Sequence, residues 1–191
     1  VKYFYDTEFL DDGNTIEFIS IGMVAEDGRE YYAVTDNEDT IIRARRHPWL
    51  SLNVVSHLPV KNNDNGWNWD KDHKDFLLIK SKQTISREIT TFLRASESIE
   101  YWAWYSAYDH VVLAQLFGRM RDLPLGFPMW TNDIKQEHMR LGFPRIPEQL
   151  EGAHNALEDA RWNKSTYEYL QGLTAPKESV LAANPRRTRI W

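Results

Sequence analysis

The sequence predicts a single α/β domain built on a mixed sheet. Three observations lead there. Strand-like segments separated by Asp/Gly turns open the chain, a later apolar strand lies between two segments of helical periodicity, and an amphipathic helix closes the pattern. Of the 191 residues, 42% are hydrophobic and 13% aromatic, enough for one sizeable core.

The first strand, about Lys2 to Phe9, sets Tyr3, Tyr5, Thr7 and Phe9 on one face and Phe4, Asp6, Glu8 and Leu10 on the other. Asp11-Asp12-Gly13-Asn14 turns the chain, Ile16 to Ala25 forms a strand rich in β-branched residues, and Asp27-Gly28 marks a tight hairpin from which Arg29 to Val34 returns antiparallel. From Asp36 to Asp75 the periodicity breaks down, with "KNNDNGWNWDKDHKD" near its end, and the segment reads as an insertion carrying short elements. Helical spacing resumes over Gln83 to Ala95, with Ile85, Ile89, Phe92 and Leu93 inward. "SIEYWAWY" is the next strand, followed by a helix from about Asp109 to Phe117, and "TNDIKQEHMRLGF" is a shorter helix with a Gly stop. The last helix starts near Asn155, which has capping-box spacing to Glu158, and runs to Gly172 with Leu157, Ala160, Tyr167 and Leu170 inward. The domain thus spans 1–175, and 176–191 is a basic tail ending in "NPRRTRIW".

Composition narrows the chemistry. With no cysteine, disulfides, zinc thiolates and thiol nucleophiles are excluded, so catalysis must use carboxylates, His, hydroxyls or amines. A net charge of −5 argues against a protein that coats nucleic acid through a general positive field. It leaves room for a nucleic-acid enzyme whose acids hold cations. No apolar run nears the roughly 18 residues of a membrane span, and no secretory pattern opens the chain, so a cytoplasmic protein without membrane contact is expected.

Asp6 and Glu8 point the same way from one strand. In a partly buried setting their repulsion raises one pKa unless a proton or cation lies between them, and a hard divalent ion with oxygen ligands answers that need. The pair alone equally fits a solvated strand edge. Asp109, at the start of a helix, is favoured by the helix dipole and also fits a simple cap. In "HNALEDAR" Asp159 falls on the helix and His154 on the loop before it, its ring free to swing and placed to accept a proton; a surface His fits the same pattern.

Taken together, Asp6-x-Glu8, Asp109, and His154 five residues before Asp159 resemble the DEDDh family of 3′-to-5′ exonucleases. "YFYDTEF", "ISIGMVAEDGREYYAV", "WAWYSAYDH" and "HNALEDAR" are most similar to its ribonuclease AS branch, polyadenylate-specific exoribonucleases related to ribonuclease T. The resemblance covers most of the chain, leaving out about 36–75 and the tail. It implies a ribonuclease H-like fold, two Mg²⁺ or Mn²⁺ held by Asp6, Glu8, Asp109 and Asp159, and His154 as general base. It further implies a single-stranded RNA substrate with a free 3′ end, met by Thr7, Phe9 and Leu10, nucleoside 5′-monophosphate products, adenylate preference and a homodimer. Two departures stand out: Tyr105 occupies a position where Asn is frequent, and Tyr108 one where Phe is common.

Arg43, Arg45 and Arg46 are further candidates for RNA phosphates, as are Arg186, Arg187 and Arg189 in the tail, though such clusters also form solvated faces. Trp67 and Trp69, in a polar stretch, are candidates for a contact surface. Two rival functions remain: a DNA or short-oligonucleotide exonuclease, and a non-catalytic nucleic-acid-binding module.

Overall fold

The computed structural model describes residues 1–63, 66–94, 98–149 and 152–173, so Ala95 and the tail arginines Arg186, Arg187 and Arg189 lie outside it. β1 (Lys2–Asp11) pairs antiparallel with β2 (Ile16–Ala25), which pairs antiparallel with β3 (Glu30–Thr35). This is the expected meander. In its first turn the Asp12 side chain accepts from Asn14 and Thr15 N–H. In its second, Gly28 takes φ 90°, where a side chain would be strained.

The 36–75 segment is more than an insertion of short elements. Asn37 caps α1 (Glu38–Arg46) by accepting from Asp39 and Thr40 N–H, and His47 caps α2 (Pro48–Asn53) by accepting from Leu50 N–H. A hairpin of β4 (Val60–Asn63) and β5 (Gly66–Trp69) follows, then a short β6 (Ile79–Lys80). Ile41, Ala44, Leu50, Val54, Val55 and Leu58 are buried in one cluster with Leu10, Ile19, Tyr32, Val34 and Ala156. The segment is therefore a wall of the core. His47-Pro48 splits its apolar residues between two helices, each too short to show a period. Trp67 and Trp69 meet edge to face at 5.0 Å and pack against this cluster, which corrects the expectation of a contact surface.

α3 (Lys82–Arg94), β7 (Glu100–Ala103), α4 (Ala107–Phe117), β8 (Asn132–Asp133), α5 (Ile134–Arg140) and α6 (Ala156–Gln171) complete the chain. The sheet order is β6-β3-β2-β1-β7-β8, with β3/β6, β1/β7 and β7/β8 parallel. α3 and α4 cover one face, where Ile85, Ile89, Leu93, Leu113 and Leu116 meet Tyr3, Tyr5, Ile21 and Met23. On the other, α5 and α6 bring Ile134, Tyr167 and Leu170 against Phe4. Each large side chain buried this way contributes about 1.5–3 kcal/mol relative to exposure. No helix among the described residues is long and apolar enough to cross a membrane.

Two details shape the functional region. β7 is shorter than expected and pairs with β1 only over Lys2–Phe4; Trp104 and Tyr105 have left the sheet, Tyr105 at φ 56°. Gly22, opposite Asp6, lets α6 lie directly on β2: a Cβ there would stand 2.3 Å from Ala156 O and Leu157 N. Those are backbone atoms and cannot swing aside. Gly22→Ala is expected to lose about 1–3 kcal/mol or more in chemical denaturation. A variant with native stability would mean α6 does not seat here.

Candidate acidic active site

Beyond Phe4 the β7-facing edge of β1 has no strand partner among the described residues, so its backbone groups must bond elsewhere. Tyr5 C=O accepts from Asn163 Nδ2 of α6 at 2.9 Å. Thr7 N–H donates to Asp109 Oδ1 of α4 at 2.8 Å, and Thr7 Oγ1 donates to the same oxygen at 2.7 Å. Helices from opposite faces of the sheet thus converge where β1 and β7 part. Asp109 is only 5% exposed. It is not the cap the sequence allowed, because α4 begins at Ala107 and the N-cap position belongs to Ser106.

On α6 the expected cap is present, Asn155 accepting from Leu157 and Glu158 N–H. Asp159 accepts from Gln149 Nε2 at 2.5 Å and from His154 N–H at 2.9 Å. His154 adopts φ 67°, which turns its N–H toward that carboxylate. Its ring is not free to swing as expected: it rests edge to face against Trp49 of α2, centroids 4.8 Å apart. Ligand atoms of Glu8, His154 and Asp159 all lie within 4.8 Å of one another.

Asp6 and Asp109 join this trio through their charge. Burial, then Asp109, Asp159 and Glu8, hold the Asp6 carboxyl well above its ordinary range. Glu8 is raised well above its range by burial and by Asp159 and Asp109. Burial pushes Asp109 up to about 7, against the two Thr7 hydrogen bonds that pull it down. Asp159 is raised by burial, opposed by the bonds from Gln149 and His154. Among the described residues no Lys or Arg forms a salt bridge to any of the four. An uncompensated set of hard oxygen donors fits divalent cations such as Mg²⁺ or Mn²⁺.

These shifts have a stability consequence whose sign is opposite to that of a salt-bridged acid. Between the ordinary carboxyl range and about pH 7, where Asp109 titrates, the folded chain keeps protons that the unfolded chain has released. Stability therefore falls as pH rises through that window, above which the Asp109 share of the penalty is fully present. Thermal unfolding in chelator is expected to show a higher midpoint near pH 5 than near pH 8, with Mg²⁺ restoring much of the loss at the higher pH. A flat profile would mean the acids are not held together in the free protein.

Other expected site residues divide. Thr7 is buried with its side chain committed to Asp109, and the Leu10 side chain is buried in the α1/α2 cluster, so neither side chain faces solvent. Phe9 remains half-buried, stacked on Tyr108 at 5.8 Å just past a register shift between Glu8 and Phe9. Arg43 is bonded to Glu17 and Asp12, and Arg45 is bonded to Asn62 and lies over Trp67, so both already have local partners. Arg46 is exposed. Sequence reasoning missed Trp49, Gln149 and Asn163. Only Asn163 left a signal, as a polar residue on the inward stripe of α6.

Comparison with known proteins bears on this centre. Residues 1–171 match the family described as the 3′-5′ exoribonuclease Rv2179c-like domain, a span that takes in 36–75. Two relatives from Mycobacterium tuberculosis are each 44% identical over 163 residues, covering 84% of this chain and 88% of the relative. They are 3′-5′ exoribonuclease Rv2179c of strain ATCC 25618 / H37Rv and 3′-5′ exoribonuclease MT2234.1 of strain CDC 1551 / Oshkosh.

Proposed function

The chain belongs to the Rv2179c-like 3′-5′ exoribonuclease family, and from that premise we propose that it shortens single-stranded RNA by releasing nucleoside 5′-monophosphates, preferring adenylate tails. That it is a 3′-5′ exoribonuclease follows from the family itself. The observation that supports the finer reading is the convergence of four acids from β1, α4 and α6 on one open strand edge, each with a raised pKa.

In this reading Asp6, Glu8, Asp109 and Asp159 hold two Mg²⁺ or Mn²⁺. Such ions, when bound, offset the charge of the scissile phosphate, activate water and stabilise the leaving oxygen. His154 takes the proton of the attacking water on a ring nitrogen and returns it to solvent. The deprotonated water oxygen adds to phosphorus, the bond to the 3′ oxygen of the preceding nucleotide breaks, that oxygen takes up a proton from solvent, and the products are a nucleoside 5′-monophosphate and an RNA one nucleotide shorter. Thr7 holds Asp109 in place, and Gln149 with the His154 N–H orients Asp159. The Phe9–Tyr108 stack offers an aromatic surface to the terminal nucleotide.

Adenylate preference and a two-fold homodimer rest on the likeness to ribonuclease AS and ribonuclease T. The deciding experiment follows end-labelled poly(A), poly(U) and oligo(dA) with Mg²⁺, with Mn²⁺ and with chelator. Shortening from the 3′ end, fastest on poly(A) and absent with chelator, is the expected result. Faster loss of oligo(dA) would move the substrate to DNA, and equal rates on the two RNAs would remove the adenylate preference. Light scattering on the purified protein tests the dimer.

A further inference from the structure

An aromatic cluster around one lysine lies beside the acids and takes no part in the mechanism above. Lys135 Nζ is 4.8 Å from the centroid of the Trp104 ring, 5.8 Å from that of Tyr105 and 5.7 Å from that of Phe143. The hydrogen-bond partner of the ammonium is a neutral ring. His138 Nε2 donates to Pro144 O at 2.9 Å, which leaves Nδ1, 3.4 Å from Lys135 Nζ, as a lone pair. Burial lowers the His138 pKa and so keeps that ring uncharged. Among the described residues no carboxylate forms a salt bridge with Lys135. Asp133 acts on it through its charge, but Asp133 Oδ1 already accepts the N–H groups of Tyr105 at 3.1 Å and Lys135 at 2.8 Å. The cation is thus oriented without being neutralised.

Trp104 packs against the core cluster of Phe4, Ile134 and Tyr167, but the two outer rings do not fill the core. Tyr105 is 60% exposed and Phe143 36%, and both have the left-handed backbone that bulky residues rarely adopt, at φ 56° and 59°. Such conformations persist only where the surrounding structure enforces them, and here they hold aromatic surface in solvent. Two links tie the cluster to the segments that bear Asp109 and Asp159. Tyr105 precedes Asp109 on the approach to α4, and Trp104 lies 5.1 Å from Trp162, which follows Asp159 by one helical turn.

We propose that Tyr105, Lys135 and Phe143, backed by Trp104, form a subsite for the RNA strand immediately behind the nucleotide being removed. Lys135 takes a backbone phosphate, and Tyr105 and Phe143 stack on bases. A single unpaired cation among exposed rings is complementary to a flexible polyanion with stacking faces. Stacking tolerates every base, so the subsite grips the strand without reading its sequence. The proposal deepens the exoribonuclease reading and rests on it for the identity of the ligand.

The test separates the two. Binding of a 5′-fluorescein phosphorothioate oligoadenylate is measured by anisotropy in Ca²⁺ over a range of salt. Hydrolysis of thymidine 5′-monophosphate p-nitrophenyl ester, which has no strand behind the reacting phosphate, is measured in Mn²⁺. Tyr105→Asn removes the ring while supplying a residue that tolerates left-handed backbone. It and Lys135→Gln are each expected to weaken oligonucleotide binding about tenfold, with ester hydrolysis and thermal midpoint unchanged. Lys135→Gln also lowers the salt slope by about one, and Tyr105→Phe binds as the native protein does. Unchanged binding in both variants, or an equal loss on the ester, overturns the subsite. A native protein that binds the oligonucleotide, with both variants weakened, yet never shortens RNA overturns the exoribonuclease reading and leaves the subsite standing.

Discussion

Asp159→Ala is expected to remove no measurable nucleotide from end-labelled poly(A) and to give no saturable heat in titration calorimetry with Mn²⁺. Asp159 is expected to matter this much because it does three things at once. It belongs to the inner group with Glu8 and His154, its charge raises the pKa of Asp6 and Glu8, and it accepts the His154 N–H. Truncation removes a proposed ligand, leaves the Gln149 amide and the His154 N–H without their acceptor, and loosens the left-handed turn that presents the histidine. A loss on the order of 10⁴-fold or more is the usual scale when one member of such a unit is deleted. Circular dichroism on the same sample checks that the fold survives. Near-native shortening by a folded Asp159→Ala protein would remove the acidic centre from the mechanism.

His154→Ala slows hydrolysis on the order of 10²–10⁴-fold and leaves cation binding nearly intact, because a positioned base contributes to the proton step and not to the ligand set. The geometry makes this a demanding test. The ring nitrogen lies within 4.8 Å of carboxylate oxygens on Glu8 and Asp159, close enough to serve as a ligand itself. Parallel loss of cation affinity and rate would reassign His154 from proton acceptor to ligand. An unchanged rate would end both roles.

Much of this centre was legible from spacing. Alternation along Lys2–Phe9 correctly put Asp6 and Glu8 on one face, because β1 is regular up to the register shift at Glu8/Phe9. The Asn155 cap correctly separated His154 from the helix that bears Asp159. What the sequence hid was held by contacts between distant elements. Nothing local marks Trp49 as the neighbour of His154, since the two meet only when α2 and the start of α6 pack on the same part of the sheet. Asp109 looked like a cap because helix propensity cannot show that β7 ends early and leaves Thr7 N–H in need of an acceptor. Arg43 and Arg45 looked like phosphate binders because their acidic and amide partners come from the β1–β2 turn, β2 and the β4–β5 hairpin.

The open edge of β1 has a further meaning. A stretch of strand with unpaired N–H and C=O groups is a template on which another chain can add a strand, and proteins guard such edges against aggregation. Here the guards are Asp109 on Thr7 N–H and Asn163 on Tyr5 C=O, so a proposed catalytic acid also blocks intermolecular strand addition. Hydrolytic chemistry and colloidal safety are thereby tied to one carboxylate, and a chain that drifts away from catalysis at Asp109 must find another way to keep that edge closed.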